Sequence, residues 1–231
     1  MLLFDAHSHL SPAAVPTPRT HRIVCATGES DWEAVLAHAS GDGRATPMLG
    51  LHPWRVAEAA PGWLPHLEAL LRTHSAGVGE CGLDFARADT DRPAQEAAFR
   101  AQLRLAHALR RPVAVHAVKA WGRLLDILRE EGVPLAGAMV HAYSGSPDTA
   151  RALQALGLFL SFSGDLLRPG RSRPREALAA VAPERLLLES DGTADLTLLV
   201  EQAARLRGVT AETLASQTWE NGQRCFKELL A

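Results

Sequence analysis

The chain alternates two kinds of pattern: short runs that are apolar at successive positions, and longer stretches in which apolar residues return every three or four. The short runs are eight in number: LLFDA, RIVCAT, TPMLGL, AGVGE, PVAVHA, GAMVHA, LFLSFS and RLLLES. Strands covered on both faces of a parallel sheet read this way. The stretches between them read as helices. Ser30 and Glu33 have the spacing of a capping box opening DWEAVLAHA. In PAQEAAFRAQLRLAHALR, Phe99, Leu103 and Ala106 share one face. Ser146-Pro147 begins a helix that Gly157 ends, with proline inside the start and glycine past the end. Eight such units predict an α/β fold, a (β/α)8 TIM barrel occupying residues 1–231 as one domain. The first crossover departs from the pattern. SPAAVPTPRTH carries three prolines and no helical period, so it is expected to be an irregular loop that trims the barrel of one helix.

Composition narrows the setting. Among 231 residues, 47% are hydrophobic and the formal net charge is -2. The apolar runs fall far short of the ~20 residues that span a bilayer. MLLFDAHSHL is too short, and too soon interrupted by Asp5 and His7, for a signal peptide. Cys25, Cys81 and Cys225 are widely spaced and odd in number, which predicts free thiols and a reducing cytoplasm. A cytoplasmic monomer without membrane contact is expected. With no excess of positive charge, any nucleic-acid contact must be local rather than spread over a basic face.

The candidate chemistry sits where the apolar runs stop. His7 and His9 end the first, Glu80 the fourth, His116 the fifth, His141 the sixth and Asp191 the eighth. The C-terminal ends of barrel strands carry catalytic groups in this architecture. In extended backbone, residues i and i+2 point the same way, so His7 and His9 can grip one cation. Glu80 follows Gly77-Val78-Gly79, whose small residues permit close approach, and its two oxygens can bridge two ions. His116 and His141 end consecutive strands and suit a second ion. Asp191 ends the strand that closes against the first, which places it near His7 and His9. Burying so many imidazoles and carboxylates without a cation would be costly. Cys81, beside Glu80, reads as a small buried side chain rather than a soft ligand. His38, His66, His74 and His107 fall on helical stretches and read as ordinary polar residues.

These segments resemble the TatD family of metal-dependent hydrolases along nearly the whole chain. The matching elements are Asp5-Ala-His7-Ser-His9, Gly50-Leu51-His52-Pro53, Gly79-Glu80-Cys81-Gly82-Leu83-Asp84, Val115-His116, His141-Ala-Tyr143-Ser144-Gly145, Glu189-Ser190-Asp191, and terminal Asn221 with Phe226. The resemblance implies a TIM barrel with metal-dependent phosphodiesterase activity, typically a deoxyribonuclease of 3′–5′ exonuclease type acting on DNA. It implies two divalent ions (Mg, Mn or Zn), one held by His7, His9 and Asp191, the other by His116 and His141, with Glu80 between them. Such a pair would clamp a phosphate and acidify a water, with Asp191 accepting the proton. Asp191 and Glu80 are the catalytic candidates, and the resemblance puts His52 and Asp84 beside the phosphate or sugar.

Three departures from the family pattern bear on substrate choice. Val118 stands where the family usually has Arg, two residues after the His116-type ligand, and Lys119 where it has an acidic residue. Ser190-Asp191-Gly192 replaces the usual Thr-Asp-Ala-Pro, and the first crossover is trimmed. Arg168, Arg171, Arg173 and Arg175 follow the seventh strand. Held out of regular structure by Pro169, Gly170 and Pro174, Arg171 and Arg173 are expected to contact a polyanionic backbone in place of the missing Arg. Trp54, next to His52-Pro53, is placed either to stack on a base or to pack its loop. Two other function classes compete with the nuclease: an amidohydrolase or lactonase acting on a small molecule, with a carbamylated lysine as bridge, and a barrel-shaped binding module that has lost activity.

Overall fold

In the computed structural model, which describes residues 1–10 and 19–230, the eight apolar runs form one sheet of parallel strands in sequential order. The strands are β1 (Leu3–Ser8), β2 (Thr20–Cys25), β3 (Ala45–Leu49), β4 (Gly77–Asp84), β5 (Val113–Val118), β6 (Ala138–Val140), β7 (Phe159–Phe162) and β8 (Leu186–Leu188). Helices α1 (Trp32–Gly41), α2 (Trp63–Thr73), α3 (Arg92–Leu109), α4 (Trp121–Glu131), α5 (Pro147–Ala155) and α6 (Ser172–Ala180) connect successive strands from β2 onward. After β8 come α7 (Leu196–Arg207), α8 (Ala211–Cys225) and the short α9 (Lys227–Leu230). This is the TIM barrel that the pattern predicts. Most of the proline-rich first crossover, residues 11–18, lies outside the described residues.

Alternation along the strands sorts the core into two layers. Val113, Val115 and Ala117 of β5 join the layer beneath the helices, as do Leu186 and Leu188 of β8. Ala114 and Leu187 instead fill the barrel interior with Phe4, Ala6, Ile23, Cys25, Met48, Met139 and Phe159. Phe226 and Cys225, at the end of α8, complete that inner cluster, and the Phe4 and Phe226 rings stack 6.0 Å apart. A Cβ at Gly222 would run into the Phe4 ring, so α8 closes the N-terminal end of the barrel only because glycine stands there. The chemistry is left at the opposite end.

Two expectations about the connections are corrected. Ser30 and Glu33 form no capping box. Asp31 is the N-cap of α1 and its side chain makes no bond to its own helix. The carboxylate turns back to accept the N–H groups of Thr27 and Gly28, at 2.9 and 3.1 Å. Those N–H groups leave the end of β2 with no ladder partner, and they draw the acceptor away from the helix. The arginine-rich run after β7 is also more regular than expected. A 3₁₀ turn occupies Gly164–Leu167 and α6 starts at Ser172. Pro174 is tolerated because first-turn N–H groups have no intrahelical partner to lose.

Candidate metal centre

Backbone hydrogen bonds between strand ends fix the height of the side chains there. Glu80 N–H donates to Ala26 O at 3.0 Å, His52 N–H to Thr27 O at 2.9 Å and His141 N–H to Val115 O at 3.0 Å. Glu189 N–H donates to Phe162 O at 3.1 Å, and Asp191 N–H to His7 O at 3.0 Å. That last bond joins the two ends of the sheet. Asp5 reinforces the seam by accepting the Ser190 N–H at 2.7 Å and its hydroxyl at 2.5 Å.

His116 and His141 face inward by plain alternation, each two residues after an interior side chain, Ala114 and Met139. His7 and Glu80 need an irregularity. Phe4 and Ala6 point inward, so unbroken alternation would send Ser8 in and His7 out. The register with β2 shifts between Asp5 and Ser8. Ser8 then hydrogen-bonds Ile23 O at 3.0 Å, and His7 and His9 turn into the barrel. In β4 the register shifts between Val78 and Cys81. Both of these residues face the helix layer, and Glu80 between them is turned inward. A shift of one residue re-aims a side chain in this way. Gly50 and Gly79 make room for Glu80, since a Cβ on Gly50 would lie 2.7 Å from the Gly79 carbonyl carbon.

Glu80 divides five imidazoles into two sets. Its Oε2 lies 3.4 Å from His7 Nε2 and 3.4 Å from His9 Nε2. Its Oε1 lies 2.8 Å from His116 Nδ1, 2.8 Å from His141 Nε2 and 3.2 Å from His52 Nε2. Asp191 Oδ1 joins the first set, 3.9 Å from His7 and 3.6 Å from His9. The carboxylate is buried, which by itself would raise its pKa, yet the imidazoles of His141 and His7 hold it well below the usual carboxylate range.

Partners on the far side of each ring decide which nitrogen carries a lone pair into the centre. His9 Nδ1 lies 2.9 Å from the Cys25 carbonyl, an acceptor, so Nδ1 bears the proton. His141 Nδ1 faces Glu189 Oε1 at 3.4 Å and His116 Nε2 faces Asp84 Oδ2 at 3.2 Å. His141 Nε2 and His116 Nδ1 are thereby left facing each other at 3.0 Å, both against Glu80 Oε1. Three acceptors this close repel one another unless a proton or a metal cation lies among them. Burial would lower His141, but the charges of Glu80 and Glu189 carry it well above the ordinary imidazole range. Imidazole nitrogens backed by carboxylates, together with carboxylate oxygens, are a donor set that suits a divalent ion. Donor atoms converge within 4.8 Å in three groups: His7, His9 and Asp191; His7, Glu80 and His141; and His52, Glu80 and His116.

His52 differs from the others. Its Nδ1 accepts the Trp54 N–H at 3.1 Å, so the proton sits on Nε2 and points at Glu80. It is a donor to the centre rather than a source of a lone pair. Asp84 accepts from three sides: the Trp54 indole at 2.8 Å, the Ala86 N–H at 2.8 Å and His116. Burial would raise Asp84, but these donors bring it down to about 2.

The sequence-derived metal candidates are thus gathered around one carboxylate, and His52 and Asp84 stand directly behind them. Arg171 and Arg173 are not in that group. Arg171 lies 3.8 Å from Asp165 Oδ2 and is half exposed, and Arg173 is exposed in the first turn of α6. Arg175 is pinned to the carbonyls of Leu166 and Arg168. Sequence reasoning passed over Glu189 and Asp5 as working residues. Glu189 shares inward parity with Leu187, two positions earlier, and that spacing was the available signal. Cys81 is buried, with its thiol 3.7 Å from Ala114 O, and has no place in the centre.

A model of the family described as TatD related DNase matches residues 4–227. The chain is 36% identical to the 3'-5' ssDNA/RNA exonuclease TatD of Edwardsiella piscicida, over 77% of this chain and 76% of that protein. It is 27% identical to the uncharacterized metal-dependent hydrolase YabD of Bacillus subtilis, over 98% of this chain and 99% of that one. Among solved structures, the TatD homologue YJJV of Escherichia coli K12 superposes with a TM-score of 0.84 at 27% identity, covering 89% of this chain and 86% of its own.

Proposed function

Because this chain belongs to the TatD family of metal-dependent hydrolases, we propose that it is a deoxyribonuclease of the 3′–5′ exonuclease type, hydrolysing phosphodiester bonds at a centre for two divalent ions. The observation that carries the two-ion reading is the partition of the imidazoles by Glu80, with His7 and His9 on one oxygen and His116 and His141 on the other. In this reading His7, His9 and Asp191 would hold one ion, and His116 and His141 the other, with Glu80 shared between the two sets. Mg, Mn and Zn all accept such ligands. Bound there, the ions would supply positive charge against the phosphate and acidify a water.

The chain's own groups supply the rest. Asp191 is the proton acceptor: burial and the nearby charge of Glu189 raise its pKa above the ordinary value, so it takes up a proton more readily than a solvated carboxylate. His52 holds its Nε2 proton toward the centre, where it can be given to a phosphate oxygen as well as to Glu80. Asp84 keeps His116 in the tautomer that offers Nδ1. Arg171 and Arg173 stand after β7, on the side of the barrel where the strands end, and take the polyanion's backbone farther out.

One domain covering residues 1–231 accords with eight strands in a single sheet, and a monomer is part of the same reading. Among the described residues no helix is long and apolar enough to cross a membrane, and the three cysteines are free and buried, which suits a cytoplasmic setting. The lactonase alternative needs a lysine as bridge. Lys119 is exposed one residue beyond β5, while Glu80 already stands between the two sets.

The test is purified protein with labelled single-stranded and duplex DNA in Mg, Mn or Zn, against Glu80→Gln. Wild type should release mononucleotides from 3′ ends. The variant should keep its fold, bind at most one equivalent of metal and lose turnover. A wild type inert toward DNA with all three metals overturns the nuclease reading. A variant that binds two ions and still turns over overturns the bridge.

A further inference from the structure

Trp54 is tied to the centre twice and yet remains open to solvent. Its backbone N–H fixes the His52 tautomer, and its indole N–H holds Asp84, which in turn holds His116. The indole meets the His52 ring nearly edge-on at 4.9 Å and the His116 ring at 6.3 Å. Even so, 54% of the residue is exposed. A tryptophan that only packed its loop would be covered, and one that only served Asp84 would need no open face.

Beside it lies a cavity of about 250 Å³ whose lining includes Pro53, Trp54, Glu58, Arg87, Asp89 and Asp91. Carboxylates outnumber guanidinium groups around this cavity. Arg87 is itself engaged with Asp89 at 3.5 Å. A phosphate is therefore unwelcome there. A neutral planar ring fits better, because it gains the indole face without bringing a negative charge to these carboxylates.

We propose that Trp54 and this cavity form the subsite for the terminal nucleobase of the substrate, an inference that rests on the nuclease reading. Stacking on a tryptophan face is tolerant of base identity, so the subsite selects for the presence of a base rather than for a sequence. Because the stacking residue also fixes His52 and Asp84, seating of a base and alignment of the centre are mechanically joined.

The experiment compares binding of deoxyadenosine monophosphate and deoxyribose 5-phosphate to the metal-loaded protein by calorimetry. The readout is the ratio of the two affinities, which a purely structural role for Trp54 would not move. Wild type should favour the nucleotide by roughly tenfold or more. Trp54→Ala should bring the ratio close to one, and Trp54→Phe, which keeps a ring but loses the N–H, should retain most of it. Indole fluorescence should be quenched by the nucleotide in wild type and not in Trp54→Phe, which keeps the test open if the alanine variant folds poorly. Equal affinities in wild type, or a ratio that survives Trp54→Ala, overturn the proposal. A base advantage that depends on Trp54 in a protein that cleaves no DNA would uphold the subsite while the nuclease reading falls.

Discussion

Glu189 Oε1 lies 3.4 Å from His141 Nδ1, on the side of the imidazole turned away from Glu80. The same oxygen accepts the Ala142 N–H at 2.9 Å, so the carboxylate anchors both the ring and the loop that follows it. A carboxylate in this position fixes the tautomer and makes the nitrogen that faces the centre more basic. Glu189→Gln keeps the shape and removes the charge. Metal titration against a chelator should then show one of two sites weakened by roughly 10–100-fold, with circular dichroism unchanged. Two sites of wild-type affinity would mean that Glu189 does not set the behaviour of His141.

How legible this was in the sequence differs from feature to feature. All eight strands could be read, because a barrel strand covered on both sides leaves a short continuous apolar run, whereas the helices return apolar residues only every three or four positions. His116 and His141 were legible as the ends of consecutive apolar runs, and plain alternation turns them inward. The inward turn of His7 and Glu80 was guessed from chemistry, since a one-residue register shift leaves no compositional trace. Asp31 illustrates a different loss: its role was decided by the unpaired N–H groups of Thr27 and Gly28, which only the folded loop brings to it. The helix at Ser172 was hidden because Pro174 reads as a breaker unless the helix start is known. Glu189 shares the parity of Asp191, two positions on, but lies inside the last apolar run rather than at its end, so an end position does not mark it.

Asp191 has the left-handed backbone angle φ 49° and a side chain that is partly open to solvent, unlike Glu80. That position suits a group that must exchange protons. Asp191→Asn removes the acceptor and one ligand oxygen but leaves a neutral amide of the same size. Turnover on single-stranded DNA should fall by a factor of about 10² or more, the scale of a lost general base. KM should change far less. The reverse split, KM rising while turnover persists, would make Asp191 a binding group and place the proton acceptor elsewhere.

Glu131 on α4 binds two arginines of α3, with Arg104 at 2.8 Å and Arg100 at 2.7 Å. Hydrogen bonds from Arg104 and then Arg100 bring its carboxyl down to about 2. A folded-state value below the unfolded one, about 4.3, means that the stabilisation is complete above the unfolded value. It is lost as pH falls through about 2. Glu131→Gln should therefore melt lower than wild type at pH 7, by on the order of 1–3 °C because the partners are solvent-screened. The two melting curves should converge as pH approaches 2. A difference that persists undiminished at pH 2 would assign the effect to packing rather than charge.

Arg171 and Arg173 lie just where α6 begins, downstream of β7, whose neighbour β8 leads into Asp191. Gly164, in the turn that precedes them, packs against Ala194 in the loop after β8, with a Cβ on the glycine 3.1 Å from the alanine Cβ. The two loops therefore share a rim. Arg168 is paired with Asp165 at 3.3 Å and Arg175 with backbone carbonyls, while Arg171 reaches the same Asp165 only at 3.8 Å and Arg173 is exposed, so these two are the more weakly held of the four. An arginine that neutralises a phosphate releases condensed counterions, and the salt slope of binding counts such contacts at ~0.7 per phosphate on a single strand. Replacing both by glutamine should flatten the slope for single-stranded DNA by roughly one to two units and weaken binding about equally across sequences. Sequence-dependent weakening would instead indicate base contacts. If affinity and slope both stay at wild-type values, the arginines are solvated and take no part in binding.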